Sequence, residues 1–262
     1  MDMMTHTYQT ISVRLDAEVC TITLARPEHG NTISRTLVEE IGSALDACEA
    51  SAKIVVLQGS PEVFCLGADF QGIQRDLGAG APLRDHVPGP MYDLWQRLAR
   101  GPLVSVAHVR GKVNAGGVGF VAACDVVLSD ETAMFTLSEM LFGLIPACVM
   151  PFLLRRIGAA RANYLTVSAQ ALPARLAEQW GLVDACEANS DSLLRKHLLR
   201  LKRLGKPAIA NYKHFAAELD GRSTAARALA LQTNLAAFSD PVNLEHISRY
   251  VATGRFPWEA AG

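Results

Sequence analysis

Residues 109–146 read VRGKVNAGGVGFVAACDVVLSDETAMFTLSEMLFGLIP, and the way this stretch alternates decides the fold. An apolar, strand-like run over 103–109 leads through a glycine-rich turn into the small-residue, helix-like segment Phe120–Cys124, and a second apolar strand follows over 125–129. Strand, turn, helix and strand in that order predict an α/β architecture with largely parallel pairing. Gly116 and Gly117 lack a Cβ, so a ligand can approach their backbone closely and an N–H there can point at an oxygen that gathers negative charge. Glu139, among Phe135, Leu137, Met140, Leu141 and Phe142, is a carboxylate in apolar company, which raises its pKa and suits it to taking and returning a proton near neutrality. A solvated glutamate opening a helix with Ser138 fits the same residues.

Upstream, Ile11, Val13 and Leu15, then Cys20, Ile22 and Leu24, alternate with polar residues around Asp16-Ala17-Glu18, the period of a β-hairpin. Arg26-Pro27-Glu28-His29-Gly30-Asn31 reads as a loop. Leu37, Ile41, Leu45 and Cys48 recur at helical spacing, predicting an amphipathic helix over 34–49 capped by Ser34 or Thr36. The run KIVVLQ (53–58) predicts a buried strand, and Leu66-Gly67-Ala68-Asp69 lies beyond it in the same relation that the 114–117 turn bears to its own strand. The N–H of Ala68 is thus a candidate second donor, opposed by the plain reading of a tight turn. Residues 76–90, rich in Gly, Pro and Ala, read as a loop or lid, and 91–100 as a helix. Downstream of Pro151 the pattern is helical over 151–169, 173–180, 191–204, 207–219, 222–238 and 241–252, with a composition shift near 187–191. Residues 1–190 are therefore expected to form the core that carries the site, and 191–262 a C-terminal helical region.

Composition narrows the function. The chain has 262 residues, is 50% hydrophobic and 19% charged, and carries a formal net charge of -1, so it has the apolar content for a sizeable core and no global field for nucleic acid or an anionic membrane. Its six cysteines form no C-x-x-C pair, which argues against a zinc site and for reduced, buried thiols. The start has no basic segment followed by an apolar one, and the most apolar run, 140–154, is interrupted by Gly143, Pro146 and Pro151, so the expectation is a cytoplasmic protein with no membrane partner. Gly116-Gly117-Val118-Gly119 lacks the lysine-serine ending of a P-loop. The histidines show no metal spacing, and neither a metal nor a cofactor is expected. Residues 193–204 pair a leucine stripe with Arg195, Lys196, Arg200, Lys202 and Arg203, the pattern of a solvated amphipathic helix or of a dock for an acidic partner.

Leu24-Ala25-Arg26-Pro27-Glu28 with Asn31, Phe64 to Asp69, Gly111 to Asp125, and Phe135 with Glu139, Gly143 and Pro146 stand in order over nearly the whole chain. In these motifs the sequence resembles the crotonase superfamily, the enoyl-CoA hydratase/isomerase group. The resemblance implies a crotonase-like spiral of β-β-α turns, a C-terminal helical region that forms a homotrimer or a dimer of trimers, and a thioester substrate. It also implies that the N–H groups of Ala68 and Gly116 form an oxyanion hole. Hydratases of this group carry two glutamates; the second matches Glu139, whereas the first falls at Gly119. A single glutamate is also what enoyl-CoA isomerases of the group look like.

Asn114 to Phe120, Leu141 to Leu153, the basic helix and the ending Gly254 to Glu259 are similar to the dehydratases of polyketide β-branching cassettes. That resemblance implies a hydro-lyase, acting in antibiotic-type polyketide biosynthesis, that converts 3-hydroxy-3-methylglutaryl-acyl carrier protein to 3-methylglutaconyl-acyl carrier protein by enolate-type elimination. The carrier would present the acyl group on a phosphopantetheine thioester. A second glutamate at 119 would repel the substrate's own carboxylate by roughly 3–4 kcal/mol at an effective dielectric near 20, so Gly119 is expected to make room for the branch. Glu139 is then the acid–base residue, Ala68 and Gly116 the oxyanion donors, and Asp69 either orients substrate or braces its loop. Arg26 and Asn114 are expected at the substrate, and Lys213, with neighbouring His214, is the candidate cation for the distal carboxylate. The competing expectations are a CoA-linked enoyl isomerase or hydratase and a non-catalytic crotonase-fold scaffold or RNA-binding relative; Glu139 and the lack of net positive charge count against the last.

Overall fold

The computed structural model describes residues 7–79, 88–220 and 223–259. The predicted hairpin forms from β1 (Ile11–Asp16) and β2 (Val19–Leu24), antiparallel with Asp16 opposite Val19, and Ala17 takes a φ of 51° in the turn between them. Ser34 caps α1 (Arg35–Glu49), its side chain accepting from the Leu37 N–H at 3.1 Å. The stripe Leu37, Ile41, Leu45 and Cys48 is buried, as its spacing predicts.

The chain then repeats a unit of two strands. β3 (Ile54–Gln58) is followed by β4 (Val63–Cys65), β5 (Val104–Val109) by β6 (Lys112–Asn114), and β7 (Val126–Ser129) by β8 (Met134–Thr136). Helices close each unit: α2 (Phe70–Gly78) and α3 (Gly89–Arg100) the first, α4 (Gly116–Ala123) the second, α5 (Met150–Ser168) the third. β9 (Leu172–Pro173), α6 (Ala174–Trp180) and β10 (Ala185–Cys186) complete the spiral. The first strand of each unit joins a six-stranded sheet in the order β1-β2-β3-β5-β7-β10, and the second joins a four-stranded sheet in the order β4-β6-β8-β9. The six-stranded sheet is parallel from β2 onward. This is the spiral of β-β-α turns that the sequence implies.

The strands of the smaller sheet span only two or three residues, too few to show the alternation by which a strand is recognised. Its pairing is supplied instead by the longer neighbours that set the register of each turn. The helix expected over 151–169 is broken at Gly158, whose φ of 75° and ψ of 167° no helix permits.

Side chains of β3 alternate between two cores. Val55 and Leu57 pack in the main core with residues of α1, α3 and α4, whereas Ile54 and Val56 face away from it. That far face is covered by Leu193 of α7 (Ser190–Leu201) and Ile209 of α8 (Lys206–Asp220). The last two helices, α9 (Ser223–Ser239) and α10 (Pro241–Thr253), return to the other end and pack through Ile247 onto Phe142 and Leu144. All six cysteines are buried and unpaired. Among the described residues no helix is long and apolar enough to cross a membrane. Of the expected lid over 76–90, the stretch 80–87 lies outside the described residues; its flanks belong to α2 and α3.

Candidate active site

A cavity of about 1120 Å³ opens where the ends of the second strands meet the C-terminal helices. Ala68, Asp69, Asn114, Gly116, Glu139 and Arg26, drawn from separate turns of the spiral, all line it. Gly119 and Lys213 do not.

The two candidate donors are brought together by packing of the loops after β4 and β6. A Cβ built on Gly67 would stand 3.3 Å from the Gly116 nitrogen and 3.2 Å from the Asn114 carbonyl oxygen, so the loops lie against each other. Ile33 pins the first loop: its N–H donates to Gly67 O at 2.8 Å, and its carbonyl accepts from Asp69 N–H at 3.3 Å. Between those bonds the Ala68 peptide is held in place. In the second loop, Ala115 donates to Thr136 O at 3.0 Å and takes φ 50°, ψ −122°, a strained turn that ends at Gly116. Gly116 is the first residue of α4, and an N–H in a first helical turn has no acceptor within its own helix. At Gly117 a Cβ would press on the Cys65 backbone, with Cys65 C 3.0 Å away, so a side chain there would push α4 off β4.

Glu139 opens a short 3₁₀ turn, Glu139–Phe142, that Gly143 ends with φ 78°. Asn114 reaches this turn from β6, its Nδ2 donating to Ser138 Oγ at 2.8 Å. The Glu139 carboxylate is enclosed, its Oε2 has no hydrogen-bond partner, and burial pushes its pKa up to about 7. Burial does this because the charged form loses its water while no cation compensates. Such a group accepts and releases a proton near neutral pH with little driving force either way.

Asp69 braces as much as it faces the cavity, since its Oδ1 accepts from the Gly72 N–H at 3.0 Å and so caps α2. Two expectations are corrected. Lys213 is buried on α8, where its Nζ donates to Leu98 O at 2.8 Å, Leu103 O at 2.7 Å and Asp125 Oδ2 at 2.6 Å. It ties α8 to α3 and β5 away from the cavity, burial lowers its pKa against the pull of Asp125, and its neighbour His214 is exposed on the same helix. Gly119 does not make room for substrate directly. A Cβ there would stand 2.5 Å from Cζ2 and 2.8 Å from Cζ3 of Trp95, so the space belongs to the indole.

Trp95 is the residue that sequence reasoning passed over. It is fully buried on α3, edge-on to Phe120 (5.7 Å, 80°) and Phe152 (5.8 Å, 83°), and its ring lines the cavity beside Gly116 and Glu139. The hydrophobic run of α3 predicts only a core aromatic, because a helix pattern does not say what stands opposite. The basic face of α7 also falls elsewhere: Leu193 turns inward on the far face of the large sheet, and none of Arg195, Lys196, Arg200, Lys202 and Arg203 lines the cavity. Among the described residues, the cations that do line it are Arg26 and exposed Arg75, with His29.

The chain matches known proteins in sequence and in fold. Residues 14–261 match the family model for enoyl-CoA hydratase/isomerase. The chain is 54% identical over 260 residues to the bacillaene synthase dehydratase PksH of Bacillus subtilis, covering 99% of both sequences. The crystal structure described as a polyketide biosynthesis enoyl-CoA hydratase (pksH) from Bacillus subtilis superposes with a TM-score of 0.92, over 96% of this chain and 100% of that one. An enoyl-CoA hydratase/isomerase from Xanthobacter autotrophicus Py2, 25% identical, superposes with a TM-score of 0.83 over 95% of each chain.

Proposed function

The chain belongs to the enoyl-CoA hydratase/isomerase family, and from that premise we propose that it is a crotonase-type dehydratase of polyketide biosynthesis that removes water from 3-hydroxy-3-methylglutaryl-acyl carrier protein. The hydro-lyase class rests on the family and on the 54% identity to a polyketide dehydratase. The observation that carries the finer reading is a single enclosed carboxylate, Glu139, sharing a cavity with the backbone of Ala68 and Gly116, while the position of a second acid holds Gly119 under Trp95.

In the reaction, the Glu139 carboxylate takes a proton from C2, and the electrons of that C–H bond move into the thioester to form an enolate. The Ala68 and Gly116 N–H groups hold the enolate oxygen; a single donor of this kind is typically worth about 3–4 kcal/mol of barrier. The enolate then collapses to form the C2–C3 double bond, the C3–O bond breaks, and the departing oxygen takes the proton from Glu139 and leaves as water. The carboxylate is thereby regenerated, and a 3-methylglutaconyl thioester remains. A group titrating near 7 is matched to both halves of this proton shuttle.

Arg26 and Arg75, which line the cavity, would meet the phosphate of a phosphopantetheine arm or the acidic surface of its carrier, whereas α7 packs on the far face of the large sheet. Exposed apolar residues on α8 and α9, among them Phe215, Leu219 and Leu229, support assembly of the chain as a homotrimer. Mass spectrometry of 3-hydroxy-3-methylglutaryl carrier protein incubated with the enzyme tests the reading: loss of one water is expected, and its absence with wild-type protein overturns it. The same measurement with the CoA thioester distinguishes a carrier-dependent enzyme from a CoA-linked one.

A further inference from the structure

Two buried polar groups at the cavity are left unused by this chemistry, an amide oxygen of Asn114 and the indole N–H of Trp95. Among the described residues, six buried side-chain polar atoms lack a hydrogen-bond partner, and three of them, Glu139 Oε2, Asn114 Oδ1 and Trp95 Nε1, belong to residues lining this one cavity. Buried donors in native proteins are almost always paired, and an indole nitrogen can only donate. An acceptor oxygen brought by a ligand would pair it. Cζ2, bonded to the ring-junction carbon that carries Nε1, lies 3.8 Å from the Cβ position of Gly116.

We propose that the Trp95 indole N–H receives the distal carboxylate of the acyl chain and so makes Trp95 a specificity-determining residue, an inference that rests on the dehydratase reading above. Three oxygen-bearing groups enter with the proposed substrate. The thioester carbonyl is taken by Ala68 and Gly116, the C3 hydroxyl leaves past Glu139, and only the carboxylate lacks a partner in the interior of the cavity. A neutral donor suits that place better than a cation. A lysine or arginine beside Glu139 would favour its ionised form and pull its pKa down, away from the range in which it both takes and returns a proton. Gly119 is the other half of the device, since any side chain there would displace the indole.

The test compares wild-type and Trp95→Phe enzyme on two thioesters of the same carrier protein, 3-hydroxy-3-methylglutaryl and 3-hydroxy-3-methylbutyryl, which lacks only the distal carboxylate. Loss of a hydrogen bond to a charged group predicts that kcat/KM falls about 10- to 100-fold more for the carboxylated substrate than for the uncharged one. Equal losses on the two would assign Trp95 a packing role and overturn the proposal. A second measurement does not depend on turnover. In ¹H–¹⁵N spectra of the wild-type protein, the indole signal absent from Trp95→Phe should move downfield with glutaryl-pantetheine and stay in place with butyryl-pantetheine. The same response to both, or to neither, overturns the inference. If wild-type enzyme dehydrates neither carrier-bound substrate, the dehydratase reading fails, and the indole signal still decides whether this N–H binds a carboxylate.

Discussion

Glu139 shows how a single residue's surroundings set its chemistry. Its pKa is raised from 4.5 to about 7 by burial, so kcat/KM should rise with pH through an inflection near 7 as the base ionises. The same shift opposes folding. Between about pH 4.5 and 7 the unfolded chain gives up a proton that the folded chain retains, so this group's contribution to stability is full below that window and declines through it. Glu139→Gln should therefore lose roughly 10²–10⁴-fold in rate. Measured by urea melts, it should gain on wild type as pH rises from 4 to 8; an unchanged difference across that range would count against the buried carboxylate. Gly119 invites a second experiment. Gly119→Ala forces a methyl against a packed indole and should cost about 1–3 kcal/mol, with Trp95→Leu in the same chain recovering part of the loss, as a double-mutant cycle would measure. That Glu139, Ala68 and Gly116 meet at one cavity follows signals that are local in the sequence: a glycine turn after a strand, a carboxylate in an apolar run. Trp95 was not legible, because a tryptophan at helical spacing reads as core whether or not its N–H finds a partner.

At the scale of elements, charge in the sequence told less than direction. Lys213 looked like a free cation, yet α8 turns it inward to two carbonyls and Asp125, itself bound to the Ser105 N–H at 2.8 Å and Oγ at 3.0 Å. Lys213→Met removes the cation and strands the acceptors, so it should destabilise the fold by about 3–5 kcal/mol, whereas adding Asp125→Asn should restore part of that. Denaturant midpoints of the single and double variants check this, and a Lys213→Met enzyme that folds normally but loses only substrate affinity would contradict the placement. The α7 helix teaches the same lesson. Of its expected leucine stripe, Leu193, Leu194, Leu198 and Leu201 pack on the large sheet while Leu199 and Leu204 are exposed, and the spacing of a helix does not say which sheet face it covers. The smaller sheet was hidden for another reason. Strands such as β4 and β6 carry no periodicity of their own, and they form because β3 and β5, whose β-branched runs are plain in the sequence, fix where the chain must go next.

On the scale of the whole molecule, the C-terminal helices wall the candidate site. Asn234, Phe238, Tyr250, Val251 and Phe256 line the cavity, and Tyr250 joins the two walls, its ring 5.0 Å from Phe142 of the Glu139 turn and 5.1 Å from Phe256. Phe142 in turn meets Phe70, the first residue of the helix that Asp69 caps, at 6.2 Å. One aromatic cluster thus ties the end of the chain to the Glu139 turn and, through α2, to the loop of Ala68 and Asp69. The cluster packs on Phe142, the last residue of the turn that Glu139 opens, and so on the side of the enclosed carboxylate. Tyr250→Ala opens it from the outside without touching the carboxylate or either donor. Truncating such a ring typically costs on the order of 3–5 kcal/mol when fully buried, and less here because Tyr250 is half-buried, so the variant should fold. Water admitted to the turn stabilises the charged form, and the inflection in kcat/KM should move from about 7 toward the ordinary glutamate range near 4.5 while the maximal rate falls. A pH profile of this variant decides the matter: an inflection still near 7 would mean that the first 190 residues enclose Glu139 by themselves and that the C-terminal helices serve only as a lateral wall.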